Sequence, residues 1–188
     1  VIEMLPLRIQ LELPPWVIEV ADVNRRYHTD GERVGLTVEL AGHNRHHAGG
    51  PFAAAVFNAH NGRLVAVGLN RVIDSGRSIA HAEILALSLA QQRTGRPRLN
   101  ADGGHFVLAT SAQPCCQCYG AIIWAGIDEL LIGARAEDAE TLAGFDEGPL
   151  PADWVGELNR RGVAVRRDIL RDDACRVLAA YGTGGPRY

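Results

Sequence analysis

Two short apolar runs on either side of a tight-turn signal constrain the fold of this 188-residue chain most strongly. Residues 52–59 and 64–69 are rich in Ala, Val, Leu and Phe, and Asn61-Gly62 lies between them. An Asn-Gly pair readily adopts the positive φ angles that a two-residue hairpin turn needs. The sequence therefore predicts a β-hairpin over residues 52–69, and with it part of a β-sheet.

Helical and strand patterns alternate through the rest of the chain. Helices are predicted at 30–47, where Thr29 and Glu32 can form a capping box, at 78–92 after a capping Ser78, and between Pro114 and Gly126. Strands are predicted at 105–110, 127–132 and 163–167, and a closing helix at about 168–181. Such alternation favours one sheet with helices on both faces. The predicted fold class is α/β, a three-layer α/β/α sandwich with a central five-stranded mixed sheet.

Length and composition favour one domain, residues 30–188, preceded by an N-terminal arm, residues 1–29. The apolar runs are shorter than the roughly 20 residues that span a bilayer, and no signal segment is recognised, so we expect a cytoplasmic protein without a membrane partner. The formal net charge is -3, and residues 128–157 contain nine acidic residues and one Arg. A nucleic-acid partner is therefore not favoured.

The cysteines are clustered in a way that suits a metal better than a disulfide framework. Cys115, Cys116 and Cys118 fall within four residues, directly after Pro114. His81-Ala82-Glu83 lies at a second predicted helix start, with 30 residues between Glu83 and Pro114. This pairing of His-x-Glu with Pro-Cys-x-x-Cys is the pattern of zinc deaminases.

Each residue type in the pattern has a chemical reason to be there. His81, Cys115 and Cys118 can fill three corners of a zinc tetrahedron and leave the fourth open for water. Zinc lowers the pKa of a bound water toward 7, but expelling an amine also needs a proton carrier. Glu83, close to the metal without binding it, can carry that proton. We therefore expect Zn²⁺ as cofactor and Glu83 as a catalytic residue.

At these residues the sequence resembles the cytidine deaminase superfamily, and within it the bacterial guanine deaminases. The resemblance extends over about residues 30–150 and includes segments 50–56, 70–72 and 143–149. It implies deamination of guanine to xanthine, with Glu147 as a second catalytic residue. It also implies substrate contacts at Phe52, Asn70, Trp124 and Asp146, and a contact through the backbone at Ala82. Phe52 and Trp124 are equally typical of a plain core, and Asn70 of a turn cap.

The chain departs from this pattern at two positions. Gln113 stands where the superfamily commonly has Glu, and Gln117 where it has Met. Because the amide keeps an acceptor near the metal, we expect altered substrate preference and retained activity. In guanine deaminases the chain end can close the pocket, sometimes from a partner subunit, which makes Tyr181 and Tyr188 candidates here. The resemblance also implies a homodimer.

Several alternatives remain open at this stage. The substrate could be another aminated heterocycle, such as ammeline, guanosine or cytosine. A tRNA adenosine deaminase shares both zinc motifs but must grip phosphates, and only the six Arg residues within 160–176 favour that. From a different class, the chain could be a catalytically silent, zinc-stabilised module that binds a ligand. An uncoordinated carboxylate at Glu83 has no use in such a module.

Overall fold

The computed structural model describes residues 5–186, which form one five-stranded sheet with helices packed on it. The strand order is β2-β1-β3-β4-β5. β1 is antiparallel to both β2 and β3, while β4 is parallel to β3 and β5. The sheet is therefore mixed, and the predicted hairpin and fold class are confirmed.

The elements follow in the expected order. The strands are β1 (Ala53–Asn58), β2 (Leu64–Leu69), β3 (Phe106–Ala112), β4 (Glu129–Ala134) and β5 (Ala164–Arg166). The helices are α1 (Val17–Val20), α2 (Asp30–Asn44), α3 (Val72–Ser75), α4 (Ala82–Thr94), α5 (Cys116–Ala125), α6 (Ala136–Asp138), α7 (Trp154–Arg160) and α8 (Arg171–Gly182). Short 3₁₀ segments cover Arg45–His47 and Ala101–Gly103, and Ala139–Ala143 continues α6 as a wider π-helical turn.

The two faces of the sheet bury different helices, as the period-two geometry of a strand requires. Ala55 and Phe57 of β1 face the apolar cluster that contains Val34 and Leu40 of α2. Their neighbours Ala54 and Val56 face the opposite cluster, which contains residues of α4 and α5. The central sheet thus lies between two helical layers, and the three-layer arrangement follows from this alternation.

The helix starts show which sequence signals decide local structure. The Thr29–Glu32 capping box is present in full. Ser78 does not cap a helix: the Arg71 N–H donates to the Ala80 carbonyl, which closes the segment that contains α3 and leaves Ser78 in the loop before α4. α4 begins only at Ala82. The third predicted helix begins later than expected, at Cys116, because Pro114 and Cys115 still belong to the segment that leads out of β3, in which Cys115 has extended backbone angles.

Several further elements differ from the prediction. The fourth strand lies two residues later than expected, at Glu129–Ala134. The closing helix begins at Arg171. Helix α7 was not predicted, and Asp153 caps it by accepting from the Gly156 N–H. None of the helices within residues 5–186 combines the length and apolar character that a bilayer span needs.

The described part of the N-terminal arm is anchored at its later end. Leu11 and Leu13 pack against buried clusters, and the Trp16 ring stacks on His43 and His47 with centroid separations of 5.8 and 5.1 Å. Residues 5–14 form neither helix nor strand. Leu5, Leu7 and Ile9 are largely exposed, and Leu7 is 93% accessible. The division into arm and domain stays a prediction.

Candidate metal centre and active site

Three potential metal ligands meet where two helices begin. His81 is the N-cap of α4, Cys115 is the N-cap of α5, and Cys118 lies in the first turn of α5. Cys115 and Cys118 present their sulfurs to one side because residues three apart share a helix face. Both helices follow a chain segment leaving the sheet, so the sheet brings residues more than thirty positions apart into one cluster.

The spacing of the ligand atoms fits zinc. Nδ1 of His81 lies 3.4 Å from Sγ of Cys115 and 3.6 Å from Sγ of Cys118, and all three ligand atoms lie within 4.8 Å of one another. A tetrahedral ion with Zn–S bonds of about 2.3 Å and a Zn–N bond of about 2.0 Å requires N···S separations of about 3.5 Å. The three residues are therefore already placed as one face of a zinc tetrahedron.

The protonation of the two sulfurs also suits a cation. A hydrogen bond from the Cys118 thiol lowers the pKa of Cys115 to about 4, although burial opposes this. The same hydrogen bond and burial raise the pKa of Cys118. Helix N-termini favour thiolates, and a bound divalent cation displaces the remaining thiol proton. The pair can therefore supply two thiolate ligands.

Glu83 lies beside this cluster and outside the ligand set. It occupies the first turn of α4, is buried, and is in hydrogen-bond contact with Cys118. Burial raises the pKa of Glu83 to about 7, and the negative charge of Cys115 acts in the same direction. A carboxyl group with a pKa near neutrality can both accept and release a proton at physiological pH.

A cavity of about 180 Å³ opens onto the cluster. It is lined by Phe52, Asn70, His81, Glu83, Gln113, Cys115, Phe145, Asp146 and Glu147. Most of the residues that the sequence analysis proposed are thus brought together from five separate segments. A larger, more open groove of about 590 Å³ between α2 and α8 contains none of them.

The loop after the π-helical turn supplies two acidic residues to the cavity. Burial raises the pKa of Glu147 to about 8, with smaller contributions from the charges of Cys115 and Glu83. The Glu147 carbonyl accepts a hydrogen bond of 3.0 Å from the Cys116 N–H, which fixes the loop to the start of α5. Asp146 is exposed, and its Oδ1 accepts from the Gly148 N–H. Both residues line the cavity, and Glu147 is the less exposed of the two.

Aromatic rings form one wall. Phe52 and Phe145 meet edge to face with centroids 4.8 Å apart, and Tyr181 of α8 stacks on Phe145 at 5.8 Å. Phe145 was not among the predicted site residues, although it lies directly before the predicted Asp146. Tyr181 is not among the cavity-lining residues: its hydroxyl donates to the Pro186 carbonyl and its ring supports Phe145. Tyr188 lies outside the described residues.

One predicted substrate contact is not at the cavity. Trp124 is 79% exposed on the outer side of α5, where it lines a shallow groove with Ser88 and Pro97. The prediction of Trp124 as a wall of the site is therefore wrong, because α5 turns that position away from the sheet. The Ala82 side chain is buried in the apolar cluster that packs against the sheet, and the predicted substrate contact of the Ala82 backbone stays a prediction.

Comparison with known proteins agrees with this geometry. A guanine deaminase structure from Nitrosomonas europaea superposes with a TM-score of 0.90 at 43% identity, covering 96% of this chain and 100% of that chain. Guanine deaminase of Bacillus subtilis is 37% identical over 99 residues, 53% of this chain and 59% of the relative. A tRNA-specific adenosine deaminase of Buchnera aphidicola is 29% identical over 119 residues, 63% of this chain and 72% of the relative.

The fold and the His-Cys-Cys cluster with its adjacent carboxyl group define a zinc-dependent hydrolytic deaminase. The cytidine and deoxycytidylate deaminase zinc-binding region matches residues 29–134, more than half of the chain. The chain belongs to this family.

Proposed function

We propose that this enzyme hydrolyses a free amino-purine base, with guanine converted to xanthine and ammonia. The observation that carries the proposal is a base-sized cavity in which Glu83 and Glu147 face the metal ligands. At about 180 Å³ the cavity is smaller than the 300–1,000 Å³ pockets that hold drug-sized ligands. Similarity to guanine deaminases over almost the whole chain supports guanine as the base.

The reaction adds water at the carbon that bears the exocyclic amine and breaks the bond from that carbon to nitrogen. When bound, zinc supplies the Lewis acidity that makes water nucleophilic near neutral pH. Glu83 takes one proton from the attacking water and delivers it to the ring nitrogen beside the attacked carbon. It then takes the remaining proton of the added hydroxyl group and delivers it to the amine, so that ammonia leaves as the carbonyl of the product forms. Its pKa near 7 suits these opposite transfers.

Other residues bind and orient the base. Asn70 lines the cavity and is 1% exposed. From there its side chain can form hydrogen bonds with the edge of the purine. Phe52 and Phe145 enclose the ring, which excludes water from the reacting carbon. Glu147 can accept hydrogen bonds from the ring N–H and amino groups of guanine. It can do so as an ionised carboxylate, or through the carbonyl oxygen of its protonated carboxyl group.

The arginines near the C-terminus do not favour a tRNA substrate. Arg160, Arg161, Arg166, Arg171 and Arg176 each form ion pairs with acidic residues of this chain. Arg167 lies over the Trp154 ring, 5.8 Å from its centroid. Positive charge that is already paired contributes little to phosphate binding, so these observations support a small-molecule substrate.

We further propose that the enzyme acts in the cytoplasm as a homodimer. None of the four cysteines is in a disulfide, which fits a reducing compartment. The exposed Leu5, Leu7 and Ile9 of the arm offer apolar area to a second copy. Light scattering on the wild type and on a variant with Ser at these three positions tests this: we expect a dimer and a monomer, and a monomeric wild type contradicts the proposal.

Ammonia release from a panel of bases tests the substrate. We expect turnover of guanine with xanthine as product, and little turnover of adenine, cytosine, guanosine or ammeline. Preferred turnover of another base would refute guanine and keep the mechanism. A protein that binds one zinc and guanine but releases no ammonia would instead be a silent binding module.

A further inference from the structure

Asn44, the last residue of α2, is completely buried although it is polar. It lies between two chain segments at the open end of the β1–β2 hairpin, Gly50 before β1 and Asn70 after β2. A buried amide is stable only when its donors and acceptor are paired. The partners of Asn44 therefore show which parts of the fold depend on it.

Both the amide nitrogen and the amide oxygen of the Asn44 side chain are hydrogen-bonded. Its Nδ2 donates to the Gly50 carbonyl at 2.8 Å and to the Asn70 carbonyl at 2.9 Å. Its Oδ1 accepts from Nη1 of Arg71 at 3.3 Å. The two carbonyl groups can only accept and the Arg71 guanidinium can only donate, so the amide nitrogen and oxygen of Asn44 cannot exchange places. Asn44 thus ties together the segments on either side of the hairpin.

Gly49 and Gly50 pack closely around this contact because neither has a side chain. A Cβ at Gly49 would lie 2.3 Å from the Asn44 side chain, and a Cβ at Gly50 would lie 2.8 Å from Oδ1 of Asn70. The Gly49 N–H also donates to the Asn44 carbonyl. Only glycine lets the backbone approach so closely, so this pair of glycines and Asn44 form one tightly packed unit.

This unit holds the backbone of Asn70 on several sides. The Asn70 carbonyl accepts from Nδ2 of Asn44 and from the Gly50 N–H, and the Asn70 N–H donates to the Phe52 carbonyl. Oδ1 of Asn70 accepts from the Val72 N–H at 3.3 Å, which orients the side chain as well. Asn44 does not line the cavity, but it fixes the backbone from which Asn70 reaches it.

We propose that Asn44 is a positioning residue that sets substrate affinity by holding Asn70 at the cavity. The proposal rests on the proposed function, in which Asn70 binds the purine edge. The hydrogen bonds of the Asn44 side chain go to Gly50, Asn70 and Arg71, so its loss should weaken base binding and leave the proton transfers at Glu83 intact.

Steady-state kinetics of Asn44→Ala, Asn70→Ala and the double variant test the proposal. We expect Asn44→Ala to raise KM for guanine about tenfold and to change kcat by less than about threefold. In a Glu83→Gln background, calorimetry should show that Asn44→Ala raises the Kd of guanine by the same factor as it raises KM. The double variant should have the KM of Asn70→Ala alone, because Asn44 acts through Asn70.

Thr37→Ala is the matched control. Thr37 lies on the same helix, is fully buried, and its hydroxyl donates one hydrogen bond to the Val34 carbonyl. It precedes Asn44 by seven residues, about 10 Å along the helix. We expect Thr37→Ala to lower the melting temperature but to keep KM within twofold of the wild type. Should Asn44→Ala not fold, Asn44→Ser keeps one donor and must raise KM at least threefold.

The outcomes separate the two proposals. If Asn70→Ala binds guanine as tightly as the wild type, Asn70 is not a substrate contact and the positioning role of Asn44 falls with it, whereas only a wild type that does not turn over guanine refutes the proposed function. If Asn70→Ala weakens binding while Asn44→Ala does not, or if the two KM effects multiply in the double variant, the positioning role of Asn44 alone is overturned.

Discussion

Sγ of Cys115 lies 3.4 Å from Nδ1 of His81, although 34 positions separate the two residues along the chain. Each is the N-cap of its helix, so both side chains extend from the point where the backbone turns from extended to helical. The first turns of α4 and α5 also bring Glu83 and Cys118 to the same place. One packing relationship between two helix starts therefore assembles the ligands and the proton carrier together.

Removal of the metal should destabilise the folded chain. Zinc bound to the native state contributes about 3–4 kcal/mol when its free concentration is 100 to 1,000 times Kd. We expect Cys118→Ser to abolish stoichiometric zinc and to lose this stabilisation, whereas Cys116→Ser, at an exposed neighbouring position, keeps both. Metal analysis and chemical denaturation with and without a chelator measure the effect, and equal zinc content in the two variants would contradict the assigned ligands.

Replacement of Glu83 should remove catalysis without removing the metal. Glu83→Gln keeps the shape of the side chain but cannot accept a proton, so we expect kcat to fall about 10³-fold. Zinc content and the Kd of guanine should stay within about twofold of the wild type. If kcat stays within tenfold while zinc is retained, Glu83 is not the proton carrier.

The aromatic wall should control affinity. Phe145→Ala removes the edge-to-face contact with Phe52, and we expect KM for guanine to rise about tenfold. Trp124→Ala is the control, because that ring is exposed on the far side of α5 and should leave kcat/KM within twofold. A larger effect at Trp124 than at Phe145 would mean that the base binds elsewhere.

The metal ligands could be predicted because their signal is local. His81, Cys115 and Cys118 combine a fixed short spacing with helix starts, and both are visible in the sequence. The hairpin was equally clear from Asn61-Gly62, and the cross-strand pairing of β1 with β2 confirms it. The alternation of helices and strands predicted the fold class, but neither the order of the strands in the sheet nor their register.

The remaining features depend on packing that the sequence does not display. Whether a helical position such as Trp124 faces the sheet depends on how α5 rotates against its neighbours. Ser78 has the chemistry of an N-cap, but the pairing of Arg71 with Ala80 holds that segment as a loop. Phe145 lies in an irregular loop, where no periodicity marks it as a wall residue.

The Asp138–Arg171 ion pair should make stability fall in acid. Hydrogen bonds from Arg171 lower the pKa of Asp138 to about 2, below its ordinary value of 3.8. Because the folded-state pKa is depressed, the stabilisation is complete above about pH 4 and is lost as the pH falls toward 2. We expect Asp138→Asn to cost about 1–2 kcal/mol at pH 7, since Arg171 is partly exposed, and nearly nothing at pH 2.

Urea denaturation of the wild type and Asp138→Asn between pH 7 and pH 2 measures this difference. Asp173→Asn is the control, because the Asp173–Arg176 pair is more exposed and should contribute about 0–1 kcal/mol. A cost for Asp138→Asn that does not change with pH would show that the ionised carboxylate is not what stabilises the contact.

Guanine turnover by metal-analysed enzyme tests the central claim most directly. Protein loaded to one zinc per chain should release one ammonia for each xanthine formed, and the rate should fall in proportion as zinc is withdrawn and return when zinc is restored. Guanine turnover that persists unchanged at vanishing zinc content, or zinc-loaded enzyme that forms no xanthine from guanine, would contradict the account.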